Sequence, residues 1–509
     1  MAYFTLNAYD ANVWIPSFTG LMQASEMASD LRYAVRAENV ETPRGVLQPM
    51  AAPEILNYTF DAKIETLARF HRRWYSGTGS KDWLVVAAGG KLYYKQESSG
   101  NSWTELGYPT GITSWGCNVW SFVTYEINPA GSDAPVDVLL MSNATDGMII
   151  IKPPYTATVS NPDWAVDAVN TQGKKFGVIE RYAERVWGGA IPEDPDMLMY
   201  SRPYDPTDWT AAGEEEEPED GAGDIQQPSW DGDSFTALKA FGNQLIAFKK
   251  NRVWRILGTD PGEYTFKEQY GGGAAYANTI ALDTERILMV ERDGMSYYDG
   301  LAVSPFSRHF IEKIWKTVNR EAMDQMCAVL FKNRYYLAVP TGNATANNTL
   351  IVYNAEEGSF LEYTDTYIES MMATEDQLYA TSSTLPGKIM VIHYDSWETG
   401  NASGKTTRWE TPWMDFSRKT IAKGGYEIYF SPEVKGYPVT FRFTIQSEKK
   451  KKSKNVTIQP TIVKAKQKRV RFGGTSRRFK LIIEVLSVPQ GATWRLTGGI
   501  QMVVETDPD

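Results

Sequence analysis

The chain has 509 residues, enough for two or three ordinary domains or for one large all-β domain with a companion. Aromatic residues make up 13%, and 41 Gly and 26 Pro punctuate the chain, a composition that favours strands and turns. Formal net charge is −10 but unevenly spread: residues 401–509 carry 21 Lys/Arg against 9 Asp/Glu, which leaves 31 and 53 for residues 1–400. No run approaches the roughly 18 apolar residues of a membrane helix. The N-terminus MAYFTLNAYDANVW lacks a basic region followed by an apolar core, so a soluble protein made in the cytoplasm is expected. Cys117 and Cys327 are too few for a structural zinc site and are expected as small core residues.

In chain order, residues 1–60 are expected to form an N-terminal arm, partly helical over 21–39, that packs on the ring or on the C-terminal domain. Residues 61–396 repeat one pattern. WLVVAAGGKLYYKQ (83–96), VDVLLMSNATDGMIII (136–151), FGNQLIAFKKNRVWRILG (241–258), ILMVERDGMSYYDG (287–300), CAVLFKNRYYLAVP (327–340) and QLYATSSTLPGKIMVIHY (377–394) are pairs of strand-forming runs joined by turn dipeptides. ERYAERVWGGAIPEDPDMLMYS (180–201) is a seventh unit with a longer turn. A spacing of roughly 40 to 60 residues is that of propeller blades, so the expected fold is all-β: a β-propeller of six to eight blades. Within ERDGMSYYDG the turn is expected at Asp293-Gly294. A short helix is expected near 309–318.

Residues 397–509 change character. YEIYF, VTFRFTI, KRVRF, FKLIIEV and WRLTGGIQMVV alternate apolar and polar residues, as in a β-sandwich-like domain. GNASGKT (400–406) is one residue short of a phosphate-binding loop and precedes a strand pattern, which makes it a linker.

Candidate chemistry is sparse. His71, His309 and His393 have no ligand or nucleophile spacing, and no cofactor motif is present. Glu193, Asp194 and Asp196 in one loop, and Asp231 and Asp233 in another, are the carboxylates a propeller glycosidase with a C-terminal binding module would need, the alternative function. The stronger signal is basic: Lys449, Lys450, Lys451 and Lys452 in one loop, Lys464, Lys466 and Lys468 on one face of a strand, Arg469 and Arg471 opposite, then Arg477 and Arg478. They are candidates for contact with phosphates or an acidic partner, without base readout. GEEEEPEDGAGD (213–224), holding Glu214, Glu215, Glu216, Glu217, Glu219 and Asp220, is expected as a mobile loop and is the candidate gate or channel element.

Three stretches carry a family resemblance. FTGLMQASEMASDLRYAVRAENVETPRGVLQP (18–49) has a Gly-Leu segment and an Asn-containing stretch before a Gly. The run 241–300 places a hairpin, a Gly-rich connection and a second hairpin ending in Tyr-Asp-Gly in sequence. RRFKLIIEV and TWRLTGGIQMVV end the chain. Together they resemble the β-propeller tail nozzle, or packaged-DNA stabilisation, proteins of short-tailed double-stranded-DNA bacteriophages. The resemblance implies a non-enzymatic virion tail protein, a ring of subunits (a hexamer) below the portal-adaptor complex, and contacts with tail fibre or needle proteins. It also implies a channel through which DNA is retained and ejected.

Overall fold

The computed structural model describes residues 4–506 apart from 8–9, 24–29, 74–80, 98–99, 101, 129–134, 154–163, 227–232, 270–271, 274–275, 416–422 and 461–466. Among the described residues, seven four-stranded units form a β-propeller. Blade 1 runs from strand Ile64–Arg72 to Thr104–Glu105, blade 2 from Ser121–Ile127 to Ala165–Ala168 and blade 3 from Val178–Tyr182 to Gly223–Gln226. Blade 4 runs from Phe235–Phe241 to Thr265–Gln269, blade 5 from Ala281–Leu282 to Val303–Pro305 and blade 6 from Cys327–Phe331 to Ser359–Thr364. Blade 7 has three strands of its own, Ile368–Ala373, Leu378–Ser382 and Leu385–Ile392. Its fourth, Glu54–Ile55, comes from before blade 1 and pairs with Met390 and Val391. That borrowed strand closes the ring.

Turn chemistry sets the hairpins. Gly89-Gly90 (φ 59° and 75°) and Lys332-Asn333 (φ 47° and 58°) place both central residues at positive φ, the geometry that matches strand twist in two-residue loops. In ERDGMSYYDG the register pairs Glu291 with Gly294, so the turn residues are Arg292 and Asp293, one position earlier than expected. Gly294 (φ 147°) begins the returning strand. The expected short helix is present as Arg308–Trp315, leading into blade 6.

The sandwich has two sheets. One orders Phe4–Asn7, Asp10–Ile15, Thr493–Thr506, Lys423–Lys435 and Lys468–Phe472. The other orders Arg36–Glu38, Thr407–Glu410, Phe479–Val485, Val439–Ser447 and Lys451–Ile458. It is continuous with blade 6, because Glu38 pairs in parallel with Glu362 on the blade's outer strand. The N-terminal residues are therefore strands of the sandwich rather than an arm laid on its surface. Of the expected helix at 21–39, the described residues hold a bridge between Leu21 and Ala34 and the strand Arg36–Glu38. Burial of Leu21, Leu31, Ala34 and Ala37 outweighs local helix propensity, and Leu21 N donates to Phe360 O at 2.7 Å. One apolar core runs from blades 5–7 into both sandwich sheets, with Phe430 against Phe443 (4.4 Å) and Phe441 against Trp494 (5.1 Å).

Asn39 and Glu41 fix the seam. Asn39, at φ 53°, donates from Nδ2 to Thr364 Oγ1 (3.0 Å) and Thr406 O (2.9 Å) and accepts from Thr364 N (2.9 Å). One side chain thus joins the N-terminal segment, blade 6 and the linker into the sandwich. Glu41 is buried and accepts from Arg334 Nη1 at 2.7 Å and from the Tyr363 hydroxyl. Breaking such a buried pair costs about 3–5 kcal/mol. Lys405 of GNASGKT donates to Thr364 O and Asp365 O, so its ammonium serves this seam.

Asn39→Ala is expected to cost about 3 kcal/mol, since it leaves Thr364 N and Thr406 O without their partner. Asn39→Gly should be about 1 kcal/mol less damaging, because Gly tolerates the left-handed backbone. Denaturant unfolding of the two variants measures both terms. A second prediction concerns Glu362, whose carboxyl is pushed up to about 7 by burial and then by repulsion from Glu38. A carboxyl above its unfolded value near 4.5 holds its proton in the native state, so its penalty is absent at pH 4.5 and grows as pH rises through 7. The protein should lose on the order of 2 kcal/mol from this group between about pH 5 and pH 8, and Glu362→Gln should remove that loss. Unchanged pH profiles in thermal unfolding would contradict it.

Candidate functional site

The basic residues gather at the open edge of the sandwich. Lys451–Ile458 ends the nine-stranded sheet and Lys468–Phe472 ends the five-stranded one, so both edge strands lie on the side away from blade 6. Alternation along Lys468–Phe472 turns Val470 and Phe472 inward and Arg469 and Arg471 outward. Along Lys451–Ile458, Val456 and Ile458 face the core. Lys452 and Lys454 share that side where the core has ended, so they cover the gap between the sheets. Lys454 lies 5.7 Å over the Phe472 ring, and Lys452 Nζ donates to Gly473 O. Beyond them opens a cavity of about 680 Å³, lined by Glu448, Lys449, Lys450, Lys452 and Arg477 together with Tyr426 and Phe472.

The predicted residues therefore divide. Lys449, Lys450, Lys452 and Arg477 converge on the cavity, while Lys451 stands exposed at the start of its edge strand. Lys468 is exposed at the start of the other edge strand. Arg469 and Arg471 are countered by Glu427, which the Tyr429 hydroxyl and Arg471 hold below the usual carboxylate range. Arg478 pairs with Glu448 (2.8 Å) and stacks 5.3 Å from the Trp413 ring, a partner sequence reading missed. Lys464 and Lys466 lie outside the described residues. Lysines on edge strands also deter pairing with other chains, which is a structural use for Lys451 and Lys454.

The acidic loop belongs to blade 3, in the connection between strands Met197–Tyr200 and Gly223–Gln226. Tyr200 pairs with Gly223, so the loop projects as a knob from the blade's outer part. It is anchored. Arg185 is almost completely buried and donates to Ser201 O (2.8 Å), Gly221 O (2.7 Å) and Glu219 O. Arg202 pairs with Glu216 at 2.6 Å, and that bond, with one from Gly213 N, holds the Glu216 carboxyl down at about 2. The loop expected to be mobile is thus tied at its base by Arg185 and at Glu216 by Arg202, with its carboxylates exposed. It does not line the hollow of about 340 Å³ between the inner strands of blades 1, 2, 6 and 7, which has Phe122, Val329 and Met372 on its wall. That is a small-molecule volume and not one for a duplex.

The other carboxylates have structural partners. Asp194 pairs with Lys174, Asp196 with buried Lys249 (2.6 Å), and Asp233 accepts from the turn amides of Lys250 and Asn251. Glu193 is exposed, and Asp231 lies outside the described residues. His71 pairs with Asp82 (2.8 Å), and His393 lies 3.5 Å from Glu54. The His309 carbonyl accepts from Gln23 N. Cys117 and Cys327 are free thiols, and burial pushes the Cys327 thiol up to about 12. Among the described residues, no three His, Cys, Asp or Glu side chains gather as a metal site.

No family model and no curated protein matches the chain. Among solved structures it is similar to the Pan2 WD40 domain of Neurospora crassa, at 8% identity and a TM-score of 0.33, over 66% of this chain and 90% of that one.

Arg185→Met keeps the stem over Tyr200 but removes three carbonyl contacts. It should free the knob, so that a glutamate-specific protease cleaves within 214–219 at least about tenfold faster than in the wild type. An unchanged cleavage rate would show that the loop is held by other means.

Proposed function

We propose that this chain is a structural subunit of the tail of a short-tailed double-stranded-DNA phage, a nozzle or hub made in the host cytoplasm and built into the virion. Its role is mechanical rather than catalytic. It assembles as a ring, a hexamer, below the portal-adaptor complex, meets tail fibre or needle proteins, and bounds a channel that DNA passes without sequence readout.

The observation that carries this reading is the continuous sheet from blade 6 into the sandwich. A binding module on a linker has no use for such a weld, whereas a wall that must hold against pressurised DNA does. Two further features support it. The segment 18–49, which carries much of the resemblance, contributes the strand Arg36–Glu38 and the seam residues Asn39 and Glu41. The charge division, acidic before residue 401 and basic after, suits a channel wall that does not grip phosphates, with cations kept for neighbouring subunits.

Light scattering and negative-stain imaging of the full chain, alone and with a portal-adaptor complex of a short-tailed phage, test the reading. The expected outcome is a ring with an open centre, formed alone or on that complex. A monomer that ignores the complex and binds or cleaves a polysaccharide would overturn it.

A further inference from the structure

Blade 3 and the basic edge of the sandwich cannot meet within one molecule. The sandwich extends outward from blade 6, three blades round a seven-bladed ring from blade 3, and its basic edge strand lies five strands beyond the blade, roughly 24 Å. Yet the two surfaces are complementary. The knob carries six carboxylates within residues 214–220, and only Glu216 among them pairs with a cation in the described structure. The cavity of about 680 Å³ carries Lys449 and Lys450, which form no ion pair among the described residues, beside Lys452 and Arg477; its one carboxylate, Glu448, is paired with Arg478.

We infer that the acidic knob of one copy seats in the basic cavity of another. This rests on the oligomeric reading above and names its contact. The shapes favour a protein loop over nucleic acid. The cavity is a half-open hollow bounded by the loops 447–450 and 473–477 at the end of the sandwich, and the knob is tethered by Arg185 and Arg202, so little order is lost on docking. Because the knob and the cavity lie on different faces, the contact is heterologous, the kind that closes rings when its rotation divides a full turn. Ion pairs dominate it, so it weakens as salt rises.

Sedimentation velocity on full-length chains tests this by charge exchange. One variant carries Lys449→Glu and Lys450→Glu, the other Glu214→Lys, Glu215→Lys and Glu217→Lys; all five side chains are exposed on turns or loops, and matched unfolding midpoints check the fold. The wild type should associate at low salt and weaken roughly tenfold between about 0.05 and 0.3 M salt. Each variant alone should sediment as a smaller species, and an equimolar mixture should associate again, because every reversed cavity then finds a reversed knob. Wild-type association in either variant, or no recovery on mixing, would overturn the inference. So would a wild type that stays monomeric at about 0.1 mM, or cavity variants that lose duplex DNA binding but not self-association. Binding to the portal-adaptor complex is scored separately. Unaltered rings on that complex in both variants would leave the nozzle reading standing while this contact falls.

Discussion

The molecule depends on one short segment threading between two bodies. Within residues 36–55 the chain supplies the strand that joins blade 6 to the sandwich, the buried Asn39 and Glu41, and the two-residue strand that closes blade 7. A propeller holds its first and last blades together only when its ring is closed, and here closure uses chain from the opposite end of the propeller. The same twenty residues lock a second domain to it. Ring closure and domain docking are therefore coupled through few bonds, most of them buried and each costly to leave unmade.

This coupling gives the charges their meaning. Ion pairs inside the molecule, such as Arg334–Glu41 and Lys480–Glu410, are spent on holding elements together. Among the described residues Lys449, Lys450, Glu214, Glu215 and Glu217 form no ion pair, and the two clusters stand on separate parts of the fold, the far edge of the sandwich and blade 3. A sandwich joined to its blade by a continuous sheet presents the two clusters at a set separation and angle. That is what repeated assembly needs and what a flexible tether would lose.

Much of the propeller was legible because its signals are local. Gly89-Gly90 and Lys332-Asn333 announce their own turns, and the strands beside them alternate or run apolar as blades require. The basic edge was legible as composition, since Lys449 to Lys452 are adjacent in sequence. What stayed hidden was long-range. Asp10–Ile15 pairs with the final strand, Thr493–Thr506, almost the full length of the chain away. Glu54–Ile55 is too short and too exposed to show alternation. Residues 21–39 read as helix because the backbone partners of Leu21, Val35 and Asn39, which are Phe360, Glu410 and Glu362, lie more than three hundred residues on. Arg185 looks like a surface charge in ERYAERVWGG, and only the fold reveals it as the anchor of an acidic loop.

Native-state hydrogen exchange in mild denaturant tests the central claim most directly. If residues 36–55 weld the two bodies, amides of blade 7 in Leu385–Ile392 and of the sandwich strand Phe479–Val485 should lose protection in one shared opening, with the same free energy and the same denaturant dependence. Opening of the sandwich strand at markedly lower denaturant, with blade 7 still protected, would show two bodies that only touch.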